Sequence, residues 1–430
     1  MKYGEVKGFR TLTPDIFSKY RFLDQFLGNL VEQYGYNAIE TPSLEYAEVL
    51  LAKGNLNVDQ VKEIFLFKDY GNRDVGLRFD LTAPLARWIG ENYYDLKPKM
   101  PLRLYYFTRM WRYEKPQKGR YREFWQFGIE LIDSESIYAD AEIIEIAAKI
   151  FKELKLDNVK IFVSHRELLK GILENLKASN IEECLRWLDK KGKISDEEIL
   201  KVLSKNINDL SIIRKILDLN LNDQKGIEEF LKSLDDEKLK NVVQRIIDVK
   251  EILKQKNIEI MIDPSLVRGF DYYTGIVFEA NVFENKKISS SLLGGGRYDG
   301  LIQLFGGDRT PSVGFAFGVD RLIEELEQRK LLNIERKKIH IIYEVKNKEH
   351  HNLANDLFEN LKNKYIVTKT IDDFENFGKL LKNELKFANN NNYDYVIIID
   401  DNIKNNEIIV KELKKGEQQK AKINQLSLIL

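Results

Sequence analysis

Two strand-like runs joined by a short turn, within residues 103–130, are the feature that most constrains the fold of this chain. Both runs are rich in aromatic residues, and residues 115–119 between them combine the proline, polar side chains and glycine typical of a turn. Other strand-like segments between residues 60 and 132 are also joined by loops. Strands that follow one another without an intervening helix pair as hairpins, so the sequence predicts an antiparallel sheet.

The same hairpin is strongly basic. Residues 103–122 contain seven Lys or Arg and one Glu, a net charge of +6, whereas the whole chain has 68 residues of each sign. Arginines on paired strands can hold phosphate oxygens, a neighbouring aromatic ring can stack on a base, and a basic tip can meet an RNA end. A solvated basic hairpin without a ligand is the alternative that charge alone leaves open.

Composition excludes several other classes of protein. The chain has 430 residues, enough for two or three domains with a large core. Its single cysteine, Cys184, cannot form a disulfide within the chain, and no cysteine–histidine cluster has metal-binding spacing, so no metal site is predicted. No Walker-type phosphate loop is present. No apolar run approaches the ~20 residues that span a bilayer, so we expect a cytoplasmic protein without a membrane partner.

The periodicity of apolar residues divides the chain into two predicted domains. Residues 1–328 form the first, in which a helix begins at Thr13 and Pro14. Within it, residues from about 166 to 256 place apolar and charged side chains at helical spacing and predict a helical insertion. After a charged linker, strand and helix patterns alternate through residues 336–430 and predict a separate small α/β domain.

Residues 77–87 contain a candidate polar site. Asp80 and Thr82 are two positions apart, and on a strand such a pair would point to the same face. There the carboxylate and the hydroxyl could hold an ammonium group. The alternative is structural, because Asp-x-Thr is also a common turn or helix-cap pattern.

Residues 266–279 combine Arg268 with the tyrosine pair Tyr272 and Tyr273, between two glycines. On a strand the two tyrosines would face opposite sides, so that one enters a pocket while the other packs in the core. The glycines would allow close approach of the backbone. The alternative is an aromatic core strand whose arginine pairs with a surface carboxylate.

Two glycine-rich segments follow. The triplet 294–296 is predicted to come directly after a strand, where missing side chains let a ligand or a backbone approach. Gly314 and Gly318 are four positions apart, a spacing that would let a helix over about 311–328 pack closely. A flexible loop followed by a core helix is the alternative.

Together and in this order, these segments resemble the histidyl-tRNA synthetases, which are class II aminoacyl-tRNA synthetases. The resemblance implies an α+β fold in which an antiparallel sheet is flanked by helices, with a helical insertion and a C-terminal α/β anticodon-binding domain. It covers nearly the whole chain, thinly in the insertion. Three segments resemble motifs of the class, and two resemble segments particular to the histidine enzymes: 13–44, 109–130 and 314–322, then 266–279 and 293–300.

The resemblance implies a site for histidine. Glu130 and Tyr273 would contact the two imidazole nitrogens, whereas Tyr272 and Tyr298 would shape the pocket. A further group would hold the α-ammonium, namely Asp80, Thr82 and Gln126. The complete set that it implies for histidine is Asp80, Leu81, Thr82, Arg112, Gln126, Glu130, Arg268, Tyr272, Tyr273 and Tyr298.

The resemblance also implies an ATP site beside the histidine site. Phe124 would stack on adenine with Arg321 on its other face, whereas Arg112 and Arg268 would be catalytic residues acting at the α-phosphate. The ATP-binding set that it implies is Arg112, Glu114, Arg120, Phe124 and Arg321. Gln117 and Lys118 would approach the acceptor end of tRNA(His). ATP with Mg²⁺, L-histidine, tRNA(His) and a homodimer are therefore expected.

One departure and one rival accompany this resemblance. Many bacterial members have Pro-Glu where this chain has Phe79 and Asp80, a pattern closer to archaeal and eukaryotic members. The rival is the regulatory subunit of ATP phosphoribosyltransferase, which resembles the same fold but charges no tRNA. That family lacks the C-terminal domain and the full catalytic set, whereas Arg112, Arg268 and Arg321 are all present here.

Overall fold

The computed structural model describes residues 4–52, 61–115, 119–192, 194–267, 272–284, 287–332, 336–372, 376–401 and 407–428. The chain divides into two compact units, Met1–Leu332 and Asn333–Leu430. In the described part of the chain, no helix is both long enough and apolar enough to cross a membrane.

The first unit is built on an eight-stranded sheet in which the strands lie in the order β1, β5, β6, β11, β10, β9, β7, β8. All neighbours are antiparallel except the pairs β1–β5 and β7–β8. The antiparallel sheet predicted from the sequence is therefore confirmed. The strands of this unit are β1 (Asn37–Ala38), β2 (Leu44–Tyr46), β3 (Leu66–Lys68), β4 (Asp74–Leu77), β5 (Leu102–Trp111), β6 (Glu123–Ile132), β7 (Val159–His165), β8 (Met261–Ile262), β9 (Ile276–Glu284), β10 (Lys287–Arg297) and β11 (Ser312–Gly318).

Strands β5 and β6 form the predicted basic hairpin, paired from Leu102 with Ile132 to Trp111 with Glu123. A separate three-stranded antiparallel sheet has the order β2, β4, β3. Helices flank the sheets. Those of the first unit are α1 (Pro14–Glu32), α2 (Ala47–Leu51), α3 (Thr82–Glu91), α4 (Tyr93–Leu96), α5 (Ile137–Glu153), α6 (Arg166–Asn175), α7 (Ile181–Leu188), α8 (Asp196–Leu203), α9 (Ser211–Leu217), α10 (Gln224–Lys232), α11 (Glu237–Gln255) and α12 (Val319–Gln328).

Helix α1 begins where the sequence predicts, with Thr13 at the N-cap and Pro14 at the first helical position. The Thr13 side chain makes no capping hydrogen bond, so Pro14 and the acidic Asp15 in the first turn supply the local start signal. Buried residues recur on α1 at three- and four-residue spacing, among them Tyr20, Leu23 and Leu27. This stripe joins the main apolar core, together with α5 and the sheet.

Between β7 and β8 the chain forms six helices, α6 to α11, within the described residues. Side-chain oxygens or nitrogens cap several of them, for example Ser195, which accepts a hydrogen bond from the backbone N–H of Glu198. The buried faces of these helices belong to the same apolar core as the sheet. The helical segment is therefore packed onto the sheet rather than detached from it.

Four local predictions are wrong. Asp80 and Thr82 do not lie on a strand, because Thr82 begins α3, with Pro84 in its first turn and buried Leu85 and Ile89 at helical spacing. Tyr272 precedes strand β9 and does not face away from its neighbour, since the centroids of the Tyr272 and Tyr273 rings are 4.6 Å apart.

The other two corrections concern glycines. The triplet 294–296 lies inside β10 rather than after a strand. Gly314 and Gly318 lie on strand β11, not on a helix. Val313, Phe315 and Phe317 alternate with them and are buried, which is the two-residue period of a strand, and the helix begins only at residue 319.

The second unit is a five-stranded sheet in the order β13, β12, β14, β15, β16. Its first three strands are parallel and the last two pair antiparallel. The elements are β12 (Lys338–Ile342), α13 (Lys348–Leu361), β13 (Ile366–Lys369), α14 (Phe377–Asn390), β14 (Tyr395–Ile398), β15 (Glu407–Glu412) and β16 (Glu417–Lys422). The polar strand β16 was not predicted, because its sequence has almost no apolar alternation.

Candidate active site

A pocket lies over strands β6, β10 and β11 of the first unit. Its empty space is about 1110 Å³, including the part open to solvent. Twelve of the residues predicted for the site line this one pocket: Asp80, Thr82, Arg112, Glu114, Arg120, Phe124, Gln126, Glu130, Tyr272, Tyr273, Tyr298 and Arg321.

Strand β6 positions three of these side chains directly. Phe124, Gln126 and Glu130 are separated by even numbers of residues, so they project from the same face of the strand. Gln126 and Glu130 are buried. The side-chain oxygen of Gln126 has no hydrogen-bond partner among the described residues. A buried acceptor of this kind inside a pocket is suited to a ligand that donates hydrogen bonds.

The inner end of the pocket is polar and buried. The Tyr298 hydroxyl donates a hydrogen bond of 2.5 Å to Oε2 of Glu130. Burial, and then the nearby charge of Glu130, raise the pKa of Tyr298 well above its ordinary value, so this phenol stays a neutral donor. Burial also raises the pKa of Tyr272. The arrangement offers phenol donors and carboxylate acceptors to a compact polar ligand.

A glycine opposite Glu130 makes this arrangement possible. Gly314 on β11 is the cross-strand partner of Glu130 on β6. A Cβ at Gly314 would lie 1.8 Å from Glu130 Oε2 and 2.5 Å from the Ile129 carbonyl oxygen. The glycine therefore provides the space in which the Glu130 carboxylate lies, which is a reason for its position that local helix packing does not supply.

The outer end of the pocket is basic. Arg112 donates from Nε to the carbonyl oxygen of Phe79 at 3.0 Å, and Nη1 of Arg321 donates to the carbonyl oxygen of Ser291 at 2.9 Å. Burial and then the like charge of Arg120 lower the pKa of Arg321 from its ordinary value. Held in this way, the guanidinium groups can bind an anion, and phosphate and carboxylate are the anions that arginine binds bidentately.

Phe124 lines the pocket next to one of these arginines. The Arg112 guanidinium carbon is 5.1 Å from the centroid of the Phe124 ring, within the range of a cation–π contact. Glu114 is shared by Arg112 and Arg120, with closest nitrogen–oxygen distances of 4.0 and 3.7 Å. If the base of a nucleotide stacks on Phe124, the phosphates of that nucleotide would thus be next to guanidinium groups that can bind them.

Several predicted residues do not lie around this pocket or cannot be placed. Leu81 does not line it, because its side chain is fully buried in an apolar cluster with Tyr106 and Met110. As the residue before helix α3, Leu81 turns into the core rather than toward the site. The predictions for Arg268, Gln117 and Lys118 fall outside the described residues.

Asp320 and Tyr121 line the pocket and were not predicted. Asp320 is buried and accepts hydrogen bonds from the Tyr20 hydroxyl at 2.8 Å and from the backbone N–H of Trp125 at 2.9 Å. It also pairs with Arg10, whose guanidinium carbon is 3.6 Å from the centroid of the Tyr121 ring. The only sequence signal was the acidic residue directly before Arg321, which by itself indicates no partner.

The sequence model of the histidyl-tRNA synthetase family matches residues 8–322. A histidine–tRNA ligase of Pyrococcus horikoshii is 34% identical over 432 residues, covering 98% of this chain and 97% of the relative.

Solved structures resemble the chain as well. A histidyl-tRNA synthetase from Nostoc sp. superposes with a TM-score of 0.81 at 24% identity, covering 100% of this chain and 99% of that one. A Bacillus halodurans structure described as ATP phosphoribosyltransferase regulatory subunit/histidyl-tRNA synthetase has a TM-score of 0.73 at 25% identity, covering 93% and 98%. The fold alone therefore does not separate the synthetase from the rival.

The full-length match and the antiparallel sheet with its two-ended pocket define the class of protein, an aminoacyl-tRNA synthetase, which is a ligase. Within that class, the chain belongs to the histidyl-tRNA synthetase family, since its sequence model covers more than half of the chain and a relative at 34% identity covers nearly all of it.

Proposed function

We propose that the protein activates L-histidine with ATP, forming histidyl-adenylate and pyrophosphate, and then transfers histidine to the 3′ end of tRNA(His). The observation that carries this proposal is the two-ended pocket, with guanidinium groups at one end and buried phenols and carboxylates at the other. A nucleotide phosphate suits the first end, and an amino acid with a polar ring suits the second.

Adenylate formation needs positioning more than proton transfer. The histidine carboxylate is already ionised at neutral pH, so it attacks the α-phosphorus of ATP directly while the bond to the departing pyrophosphate breaks. The protein must align the two reactants and stabilise charge at phosphorus. Arg112 is the described residue we assign to this task, with Arg268 as its partner from outside the described residues.

The inner end explains a preference for histidine. We expect Glu130 and Tyr273 to hydrogen-bond the two imidazole nitrogens of histidine, and Tyr272 and Tyr298 to enclose the ring. A ligand of similar size without two opposed polar atoms would forgo hydrogen bonds to Glu130 and Tyr273, so it should bind less tightly than histidine.

We expect a second set of polar residues to bind the α-ammonium group of histidine. Gln126 offers a buried acceptor to the α-ammonium, and Asp80 and Thr82 line the pocket beside it. Asp80 lies two residues before the start of helix α3, and its side chain is one methylene shorter than the glutamate of many bacterial relatives. We expect the positive α-ammonium to be stabilised chiefly by the Asp80 carboxylate.

The ATP site is assigned to the outer end. We expect adenine to stack on Phe124, with Arg321 on the other face, and the phosphates to contact Arg112 and Arg120. The Glu114 carboxylate is within 4.0 Å of two of these guanidinium groups, those of Arg112 and Arg120. We expect Mg²⁺ to enter with the phosphates; among the described residues, no cluster of three or more acidic, histidine or cysteine side chains is arranged to hold a metal ion.

Further parts of the proposal concern the RNA and the assembly. We assign the second unit to binding the anticodon of tRNA(His), and Gln117 and Lys118 to the acceptor end. We also expect a cytoplasmic homodimer, in keeping with exposed apolar side chains on the three-stranded sheet, among them Leu44, Tyr46 and Phe67. Sedimentation at micromolar concentration tests the dimer, and a monomer would refute it.

The test of this function is ATP–pyrophosphate exchange with the purified protein and each of the amino acids in turn. Among the amino acids, we expect only histidine to support exchange, and the same preparation should charge tRNA(His). Arg268→Ala should lower the rate of histidine-dependent exchange by ~10²–10³, which abolishes useful activity, while ATP binding stays measurable. Absence of exchange with every amino acid would favour the regulatory-subunit rival, and near wild-type exchange in Arg268→Ala would refute that residue's role.

A further inference from the structure

A completely buried carboxylate joins two arginines from distant parts of the first unit. Asp140, on α5, has no solvent exposure. Its Oδ1 accepts hydrogen bonds from Nε and Nη2 of Arg297 at 2.9 and 2.7 Å. Its Oδ2 accepts from Nε and Nη2 of Arg245 at 3.1 and 2.6 Å. Each carboxylate oxygen thus serves one guanidinium group, so Asp140 holds both arginines at the same time.

The first arginine is next to a pocket residue. Arg297 ends strand β10, is 3% exposed, and also donates from Nη1 to the carbonyl oxygen of Ser134 at 2.7 Å. The next residue is Tyr298, whose hydroxyl donates to Glu130. Two of the hydrogen bonds of Arg297 go to Asp140, one goes to the Ser134 carbonyl, and a longer one of 3.4 Å goes to Oδ1 of Asp299. A buried side chain held in this way can orient the backbone of the residue that follows it, which here is Tyr298.

The second arginine belongs to the helical insertion. Arg245 lies on α11, the last helix of that segment, and also donates to the carbonyl oxygen of Glu135 at 3.0 Å. His165, where the first helix of the segment leaves the sheet, is buried near both arginines. The carboxylate of Asp140 therefore joins the helical segment and the pocket strand through one group.

We propose that Asp140, acting through Arg297, is a positioning residue for the histidine end of the pocket, and that Arg245 makes the helical insertion part of this support. The inference rests on the proposed function. None of the three residues lines the pocket. Their effect is therefore on the affinity for histidine, through the placement of Tyr298 and Glu130, and not on the binding of ATP at the basic end.

The first test is Asp140→Asn, which keeps the shape but replaces one carboxylate oxygen by an amide nitrogen that cannot accept from an arginine. In histidine-dependent ATP–pyrophosphate exchange, we expect the KM for histidine to rise between ~10- and ~100-fold, the upper value being the cost of a misplacement of ~1 Å. The KM for ATP should change less than about twofold. Rates are normalised to active sites by the burst of adenylate formation, so that unfolded protein does not count.

A double-mutant cycle separates positioning from general damage. Tyr298→Phe removes the hydroxyl through which Asp140 is argued to act. If the argument holds, Asp140→Asn adds little to the loss in kcat/KM for histidine already caused by Tyr298→Phe. If the loss in kcat/KM of the double variant equals the product of the losses of the two single variants, the proposal is overturned.

Glu142→Gln is the matched control. It removes a carboxylate two residues along the same helix, which accepts from Nε of Arg103 at 2.9 Å and has no contact with Arg297 or β10 in the described ion pairs. We expect its KM for histidine to stay within about twofold of wild type. A rise equal to that of Asp140→Asn would show a general effect of the helix and overturn the proposal.

Arg245 variants keep the proposal testable if Asp140→Asn does not fold, because the Arg245 side chain is 27% exposed and tolerates change better. Arg245→Ala should raise the KM for histidine, and Arg245→Lys, which restores the charge, should recover part of the loss. An unchanged KM in Arg245→Ala would overturn the role of the insertion. Wild-type protein without histidine-dependent exchange would instead refute the proposed function itself.

Discussion

His165 should make the protein sensitive to acid. This residue ends strand β7 and caps α6, where its Nδ1 accepts from the backbone N–H of Glu167 at 3.2 Å. Burial, and then the charges of Arg245 and Arg297, lower the pKa of His165 from 6.5 to about 4. Because the folded protein binds the proton less tightly than the unfolded chain, this group's contribution to stability is complete above pH 6.5 and is lost as the pH falls toward 4.

The size of the effect follows from the two pKa values of His165, about 4 when folded and 6.5 when unfolded. The difference corresponds to roughly 3 kcal/mol of unfolding free energy over the whole window, of which about 2 kcal/mol is lost by pH 5. Below about pH 4 the residue protonates in both states and contributes no further loss. Such a loss is a considerable part of the ~5–15 kcal/mol by which proteins are stable.

The assay compares wild type with His165→Asn, since asparagine can accept the same capping hydrogen bond but does not titrate. Urea unfolding of both proteins at about pH 8 and about pH 5, followed by far-ultraviolet circular dichroism, gives the change in unfolding free energy for each. We expect the wild type to lose about 2 kcal/mol more than the variant between these conditions. Equal losses would refute the assignment of a buried neutral histidine at this junction.

Two further predictions concern the site. Gly314→Ala should displace the Glu130 carboxylate, because the new Cβ would lie 1.8 Å from Oε2. The loss of a hydrogen bond to this charged group should raise the KM for histidine ~10- to ~150-fold. Gly300→Ala is the control, because nothing lies within 4 Å of its Cβ, and its KM for histidine should stay unchanged. Gln117→Ala should reduce tRNA charging much more than pyrophosphate exchange, because its assigned contact is to the RNA; equal losses in both assays would contradict that assignment.

Local patterns were enough wherever neighbours in sequence decide the structure. The hairpin of β5 and β6 follows from its turn residues, and the common direction of Phe124, Gln126 and Glu130 follows from the two-residue period of a strand. The start of α1 follows from Pro14. Each depends on residues a few positions apart, so no knowledge of the rest of the fold is required.

Local patterns failed where glycine spacing has two meanings. The spacing of Gly314 and Gly318 predicts a close-packed helix, yet both glycines lie on a strand whose buried neighbours alternate. The reason for Gly314 is the carboxylate of Glu130, which is 184 positions away in sequence and directly opposite in the sheet. A short glycine-rich segment is compatible with a strand or with a helix, and the choice depends on the residues that pack against it. These residues are distant in sequence, so the local pattern does not identify them.

Turn chemistry and residue period are local properties, so the antiparallel sheet, the basic hairpin and the set of polar residues available for a site can be predicted from the sequence. Which of these residues meet depends on how distant elements pack. The Tyr298 hydroxyl reaches Glu130 across 168 positions, and Asp140 joins Arg245 to Arg297 although neither arginine is near it in the chain. Such contacts depend on the packing of distant elements, which bury charged groups only where partners from several segments satisfy them.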